Sequence, residues 1–213
     1  MSGSKRVEGI IKALKAQYLF EATQRGGESP FRVLIGCILS QRTRDTNSEK
    51  AAMALFQVAN DPESILNLDG ERLRQLIRCS GYYNQKADRI HRICSELLRR
   101  FDGEVPADRE KLLSLPGVGP KTADVVLSYA FLKPTIAVDV HVRRTAMRLG
   151  LAEKSSGVEG VKKDLEHRIR EDDRRFMDSA LVQLGKDFCR PRSPRCSGCP
   201  VESLCPSKRE MNL

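Results

Sequence analysis

Apolar residues in this chain recur at intervals of three and four, and nowhere settle into the strict alternation of a half-buried strand. Leu73, Leu76 and Ile77 mark one such face, and Ile90, Ile93 and Leu97 another. A chain patterned this way buries its stripes by packing helix on helix, so the predicted class is all-α. The helix boundaries agree. Ser29-Pro30 before FRVLIGCILSQ and Asp61-Pro62 before ESILNL each put a capping side chain ahead of a proline in the first helical position. Gly70, Gly81, Gly103 and Gly150 read as helix stops. Two segments interrupt the helical run: LPGVGP at 115–120, a tight Gly/Pro turn, and a cysteine-rich stretch from Cys189 onward.

Composition narrows the class of partner. Hydrophobic residues make up 40% of the 213, enough for the core of one or two small domains and too many for a disordered chain. There are 37 Lys and Arg against 28 Asp and Glu, a formal charge of +9. That surplus points to an anionic partner, and nucleic acid leads because its phosphates reward Lys and Arg broadly; a basic soluble protein without such a partner carries the same charge. Apolar runs such as VLIGCIL at 33–39 are short and flanked by charge, so no membrane partner is expected. The N-terminal MSGSKRVEGIIKALKAQYLF lacks the apolar core and cleavage site of a signal peptide and reads as an amphipathic helix. A cytoplasmic location is expected, where seven cysteines are not a disulfide framework.

Four of those cysteines, Cys189, Cys196, Cys199 and Cys205, are spaced C-x6-C-x2-C-x5-C. The segments between them (RPRSPR, SG, PVESL) are too polar for a core helix, so a metal-wrapping loop explains them better than chance burial. A four-cysteine zinc site usually shows paired short knuckles, and only one C-x2-C occurs here. The spacing also differs from the ferredoxin run, so spacing alone leaves zinc and a cubane cluster in contest. Cys37, Cys79 and Cys94 fall on apolar helical faces and read as small buried residues.

The segment LPGVGPKTADVVLSYAF at 115–131 has the form of a helix–hairpin–helix. Gly117 and Gly119, flanking Val118, let the turn take positive φ and let backbone N–H groups approach a phosphate. Lys121 then sits at the start of the second helix, where a cation is disfavoured and a neutral amine gains. Asp139 follows in the apolar stretch TIAVDVHV at 135–142. A carboxylate in that setting caps a helix or does chemistry, and a lysine with an aspartate is a means of generating an amine nucleophile.

With both motifs in place the chain resembles the iron–sulfur-containing endonuclease III family of the helix–hairpin–helix DNA glycosylase superfamily. The resemblance rests on LPGVGPKTADVVL, on the aspartate of VDVHV eighteen residues after the lysine, and on the cysteine spacing. It runs from about residue 29 to 205. It implies two helical domains with a DNA cleft between them: 25–133 with the hairpin, and 1–24 plus 134–213 with a [4Fe–4S] cluster held by Cys189, Cys196, Cys199 and Cys205. It implies a base-excision DNA glycosylase and abasic-site lyase acting on oxidised pyrimidines, with Lys121 attacking C1′ to form a Schiff base and Asp139 activating it. The implied partner is double-stranded DNA carrying damaged pyrimidines or abasic sites, bound by a monomer associated with the nucleoid.

The family's gap-filling glutamine after the "LS" helix end maps to Gln41, or to Arg42 if the pattern is kept ungapped. Its aliphatic wedge before "YN" is replaced by Tyr82, either a base-stacking wedge or a loop aromatic packed on the surface. His141 follows the family's "VDxH", as a DNA contact or, better, a residue that orients the loop. Two rival functions remain. A mismatch (G·T or G·U) glycosylase of the same superfamily commonly lacks the lysine, and a non-catalytic DNA-binding iron–sulfur protein needs neither Lys121 nor Asp139.

Overall fold

The computed structural model describes residues 3–23 and 27–211. In chain order its helices are α1 (Gly3–Thr23), α2 (Pro30–Ser40), α3 (Asp45–Phe56), α4 (Pro62–Leu66), α5 (Gly70–Leu76), α6 (Tyr83–Phe101), α7 (Arg109–Leu113), α8 (Pro120–Val125), α9 (Val140–Arg148), α10 (Val158–Arg168), α11 (Glu171–Asp187) and α12 (Pro206–Met211). A π-helical turn, Val126–Ala130, extends α8, and a 3₁₀ turn, Glu202–Leu204, precedes α12. No strand occurs among the described residues, and the class is all-α as the apolar spacing requires. The chain divides into two compact units, Gly27–Phe131 and Met1–Gly26 with Leu132–Leu213. The first boundary expected from sequence, between residues 24 and 25, lies outside the described residues.

The unit Gly27–Phe131 is built on α2. Phe31, Val33, Leu34, Ile35, Ile38 and Leu39 are all buried, a set too wide for one face, so α2 is central. It packs against α3, α6, α8 and the π turn. Helix α6 is amphipathic, burying Ala87, Ile90, Ile93, Cys94 and Leu97 on one side; each large aliphatic side chain sealed this way stabilises by about 1.5–3 kcal/mol. Three short helices, α4, α5 and α7, start on aspartates. Asp61 and Ser64 form a capping box, Asp69 accepts from the Arg72 N–H at 2.7 Å, and Asp108 accepts from the Lys111 N–H at 2.9 Å.

Three boundary expectations change. Ser29 takes the N-cap position ahead of Pro30 but makes no side-chain cap bond. Gly70 opens α5 behind its cap Asp69 and stops nothing. At 81–82 it is Tyr82, φ 60°, and not Gly81 that turns left-handed. Gly103 and Gly150, at φ 81° and 63°, do end α6 and α9.

In the other unit, α1 buries Val7, Ile10, Ile11, Leu14 and Tyr18 and packs against α11, which also packs against α9. Lys15 meets the buried Asp173 at 2.5 Å. Arg6 donates to the carbonyls of Leu149 (2.6 Å) and Gly150 (3.1 Å), satisfying the C-terminal end of α9.

Candidate functional site

The hairpin sits in the unit Gly27–Phe131 between α7 and α8. Gly117 has φ +72°, while Gly119 is extended at φ −100° and serves as the N-cap of α8. The expectation of positive φ thus holds for Gly117 and fails for Gly119. A Cβ on Gly117 would lie 2.3 Å from Cδ and Nε of Arg89, whereas one on Gly119 would meet nothing within 4 Å. The Val118 side chain is buried, and its N–H donates to the Leu115 carbonyl at 3.2 Å, so its side chain serves the core of the turn. Lys121 is exposed in the first turn of α8, just after Pro120. Beneath it, burial pushes the Cys37 thiol up to about 11, against the opposing charge of Lys121.

The other DNA-reading candidates of this unit are joined by named contacts. Gln41 is half-buried, accepting from Arg89 Nη1 at 2.7 Å and donating to the Gly117 carbonyl at 3.3 Å. Arg42 is exposed with φ +53°, and its guanidinium lies 4.5 Å from the ring centroid of Tyr82. Tyr82 is 51% exposed, so it is not packed into the core. Behind these tips is Lys86, only 3% exposed. Its ammonium donates to the Leu39 carbonyl (2.6 Å), Thr43 Oγ1 (2.7 Å) and Ser80 Oγ (2.7 Å). Burial, with the nearby Arg89 charge adding to it, pushes Lys86 down to about 8.

In the other unit Asp139 heads α9. Its Oδ1 accepts from the N–H groups of His141 and Val142, both at 2.8 Å, so the capping role is realised. The extended run leading to it is held by two acidic side chains. Asp178 accepts from the Ala137 N–H at 3.0 Å. Glu166 accepts from the Ile136 N–H at 3.1 Å and from Thr135 Oγ1 at 2.9 Å, and pairs with Lys162. Burial opposes the charge on Glu166, but the Lys162 bond and charge with the two donors hold its carboxyl below the usual range. His141 packs where Gly185 leaves room: a Cβ there would lie 2.9 Å from the His141 Cβ. Arg144 ties this helix to the cysteine loop, meeting His141 Nδ1 (3.1 Å) and donating to the carbonyls of Gly185 (2.8 Å) and Cys189 (2.7 Å).

Cys189, Cys196, Cys199 and Cys205 line one recess with Leu149, Leu184, Phe188 and Val201. None of the four is in a disulfide. Among the described residues no three His, Cys, Asp or Glu side chains converge closely enough to hold a single ion; the thiols stand around the recess. Burial pushes Cys199 up to about 11, opposed by a hydrogen bond from the Val201 backbone and aided by the other three thiols, so loading the site must displace protons. Arg148 fastens the rim, donating to the carbonyls of Arg190 (2.6 Å) and Pro191 (3.0 Å). Four sulfurs over an apolar floor, with the lining Glu202 engaged by Lys208, fit a thiolate-bound metal centre. Of the remaining cysteines, Cys94 is buried as expected and Cys37 half-buried, but Cys79 is exposed, donating to the Asn47 carbonyl at 3.4 Å.

Sequence reasoning missed Lys86, Arg89, Glu166 and Asp178. For Lys86 a signal existed: it stands four residues before Ile90 and seven before Ile93, on the apolar line of α6. Arg89, Glu166 and Asp178 act through residues distant in the chain, and no local pattern marks them.

The family model of the HhH-GPD superfamily base excision DNA repair proteins matches residues 35–171. Endonuclease III of Thermotoga maritima is 43% identical over 83% of this chain and 82% of its own. Endonuclease III of Escherichia coli is 38% identical over the whole of both chains. A solved structure of a trapped endonuclease III–DNA covalent intermediate superimposes with a TM-score of 0.90 at 32% identity, covering all of both chains. The chain therefore belongs to the endonuclease III family within the HhH-GPD superfamily of base excision DNA repair proteins.

Proposed function

We propose that this base-excision DNA glycosylase and abasic-site lyase removes oxidised pyrimidines through a Schiff base on Lys121. The observation that carries this is Lys121 itself, exposed in the first turn of α8 directly after the Gly117–Gly119 hairpin, in a chain of the endonuclease III family. The Lys121 amine attacks C1′ of the damaged nucleotide, and the glycosidic bond breaks with its electron pair leaving on the base. Loss of the amine proton and opening of the sugar give the protonated imine. Removal of a C2′ proton then expels the 3′ phosphate, and water hydrolyses the imine to restore the amine. Asp139 takes the proton from Lys121 and stabilises the positive charge developing on the sugar. One of its oxygens already caps α9, which fixes the carboxylate's orientation.

Duplex DNA with damaged pyrimidines or abasic sites is the substrate in this reading, bound by a monomer in the cytoplasm. Gly117 and Gly119 offer backbone to a phosphate. Arg42 and Tyr82 are the tips that enter the base stack. Gln41 braces them, because both ends of its amide are engaged by Arg89 and the hairpin. His141 orients the α9 head through Arg144. Cys189, Cys196, Cys199 and Cys205 would hold a [4Fe–4S] cluster, and the bound cluster supplies a four-point cross-link to a loop with little core of its own.

The test is trapping. Borohydride added during reaction with an abasic-site duplex should give a covalent protein–DNA adduct, mapped to Lys121 by mass spectrometry. Lys121→Gln should lose trapping and strand cleavage while still binding DNA. Attachment at any other residue overturns the assignment.

A further inference from the structure

We infer that Lys86 is a positioning residue for strand separation: its buried ammonium locks the Arg42 turn to the Tyr82 turn so that both tips enter the duplex together. The inference rests on the function proposed above and adds a residue to it.

A lysine 3% exposed is unusual, and here its three hydrogen-bond partners are neutral oxygens. A buried cation without a counter-charge is unfavourable unless its bonds secure something that packing alone does not. What they secure is specific. The Leu39 carbonyl belongs to the last turn of α2, Thr43 follows Arg42, and Ser80 lies two residues before Tyr82. The ammonium is thus the common point of three segments that meet under the exposed tips. Ser80 Oγ adds a bond to the same Leu39 carbonyl at 3.0 Å, and Thr43 Oγ1 donates to the Gln41 carbonyl at 3.3 Å.

The tips themselves are strained. Arg42 (φ 53°) and Tyr82 (φ 60°) are non-glycine residues in the left-handed region. Such conformations persist only where the surroundings over-determine them, and they cluster at functional positions. Gly81 lies close to the Arg42 carbonyl, so a Cβ there would come within 3.2 Å of that oxygen. The two turns are therefore pressed together at their tips and bolted together at their base. A wedge that must open base pairs has to resist the restoring force of stacking, and the Lys86 bonds supply that resistance.

The experiment compares one damaged base in two settings, a fully paired duplex and a bubble where it is already unpaired. For Lys86→Gln, kcat/KM on the duplex should fall by about tenfold or more, since small misplacements carry large rate costs. On the bubble it should fall by less than about threefold, because no strand opening is required. Borohydride trapping on a preformed abasic site should persist. Ser80→Ala, which keeps the lysine and removes one of its acceptors, should show the same split at smaller size and decides the matter if Lys86→Gln does not fold. Equal losses on both substrates mean a merely structural role and overturn the inference, as does no loss on either. A wild-type protein that neither cleaves nor traps overturns the underlying function and this inference with it, whereas an active wild type with an unsplit variant overturns this inference alone.

Discussion

The guanidinium of Arg42 lies 4.5 Å from the centre of the Tyr82 ring, and both residues hold left-handed backbone. A cation over an exposed ring contributes only about 0.5–1 kcal/mol, and a non-glycine residue in this conformation costs about 1–2 kcal/mol. The pair is not there for stability.

Tyr82→Gly should therefore leave the melting temperature unchanged or slightly higher, because glycine relieves the strain. The same substitution should sharply reduce preference for damaged over intact duplex, as should Arg42→Ala. A competition binding assay alongside thermal unfolding checks both halves. If preference survives in Tyr82→Gly, Tyr82 is a surface aromatic and not a wedge.

Gly117→Ala should weaken binding to every duplex, damaged or not. Its φ of +72° disfavours any side chain, and a Cβ collides with Arg89 at 2.3 Å, dislodging the residue that holds Gln41. A stability loss of about 1–2 kcal/mol should accompany it. Gly119→Ala is the control, since the backbone there is extended and the space open. Titrations over a range of salt should show the phosphate contribution falling in the first variant only.

Capping and chemistry at Asp139 can be separated. Asparagine caps a helix as well as aspartate does, so Asp139→Asn should unfold like the wild type. Its turnover should drop by about 10²–10⁴-fold if the carboxylate assists proton transfer. Asp139→Ala should lose turnover and about 1 kcal/mol of stability together. Full activity in the asparagine variant would reduce Asp139 to a helix cap.

Glu166 makes the segment before Asp139 sensitive to acid. Its folded carboxyl titrates below the ordinary 4.5, so the stability it contributes is fully present above that value. It is lost as pH falls from there through the folded value. The stability difference between wild type and Glu166→Gln should thus be constant near neutrality and shrink below about pH 4.5. Denaturant unfolding at a series of pH values measures it; a difference that grows on acidification contradicts the sign.

Protein purified anaerobically should be yellow-brown with about four iron atoms per chain. Cys196→Ala should lose the iron and loosen the loop, read as faster tryptic cleavage after Arg192 or Arg195. Stoichiometric zinc in place of iron would sink the cluster assignment.

Helical class, the caps at Asp61 and the hairpin at Gly117 were legible in the sequence because each is local. Apolar spacing, an aspartate before a proline, and a glycine in a tight turn act over one or two turns of chain, where neighbours are known in advance. The cysteine spacing was visible for the same reason, its four residues falling within seventeen positions. Tertiary structure alone decided the rest. Gln41 and Arg42 are adjacent and read alike, yet packing engages the first with Arg89 and Gly117 and leaves the second at the tip. Lys86 lies on the apolar line of α6, but its partners Leu39, Thr43 and Ser80, up to 47 residues away, are decided only when the chain folds around it. Asp178 reaches Ala137 across 41 residues. The physical reason is that a polar side chain's role depends on which oxygens and N–H groups exclude water around it, and those come from segments whose distance in sequence carries no information about their distance in space.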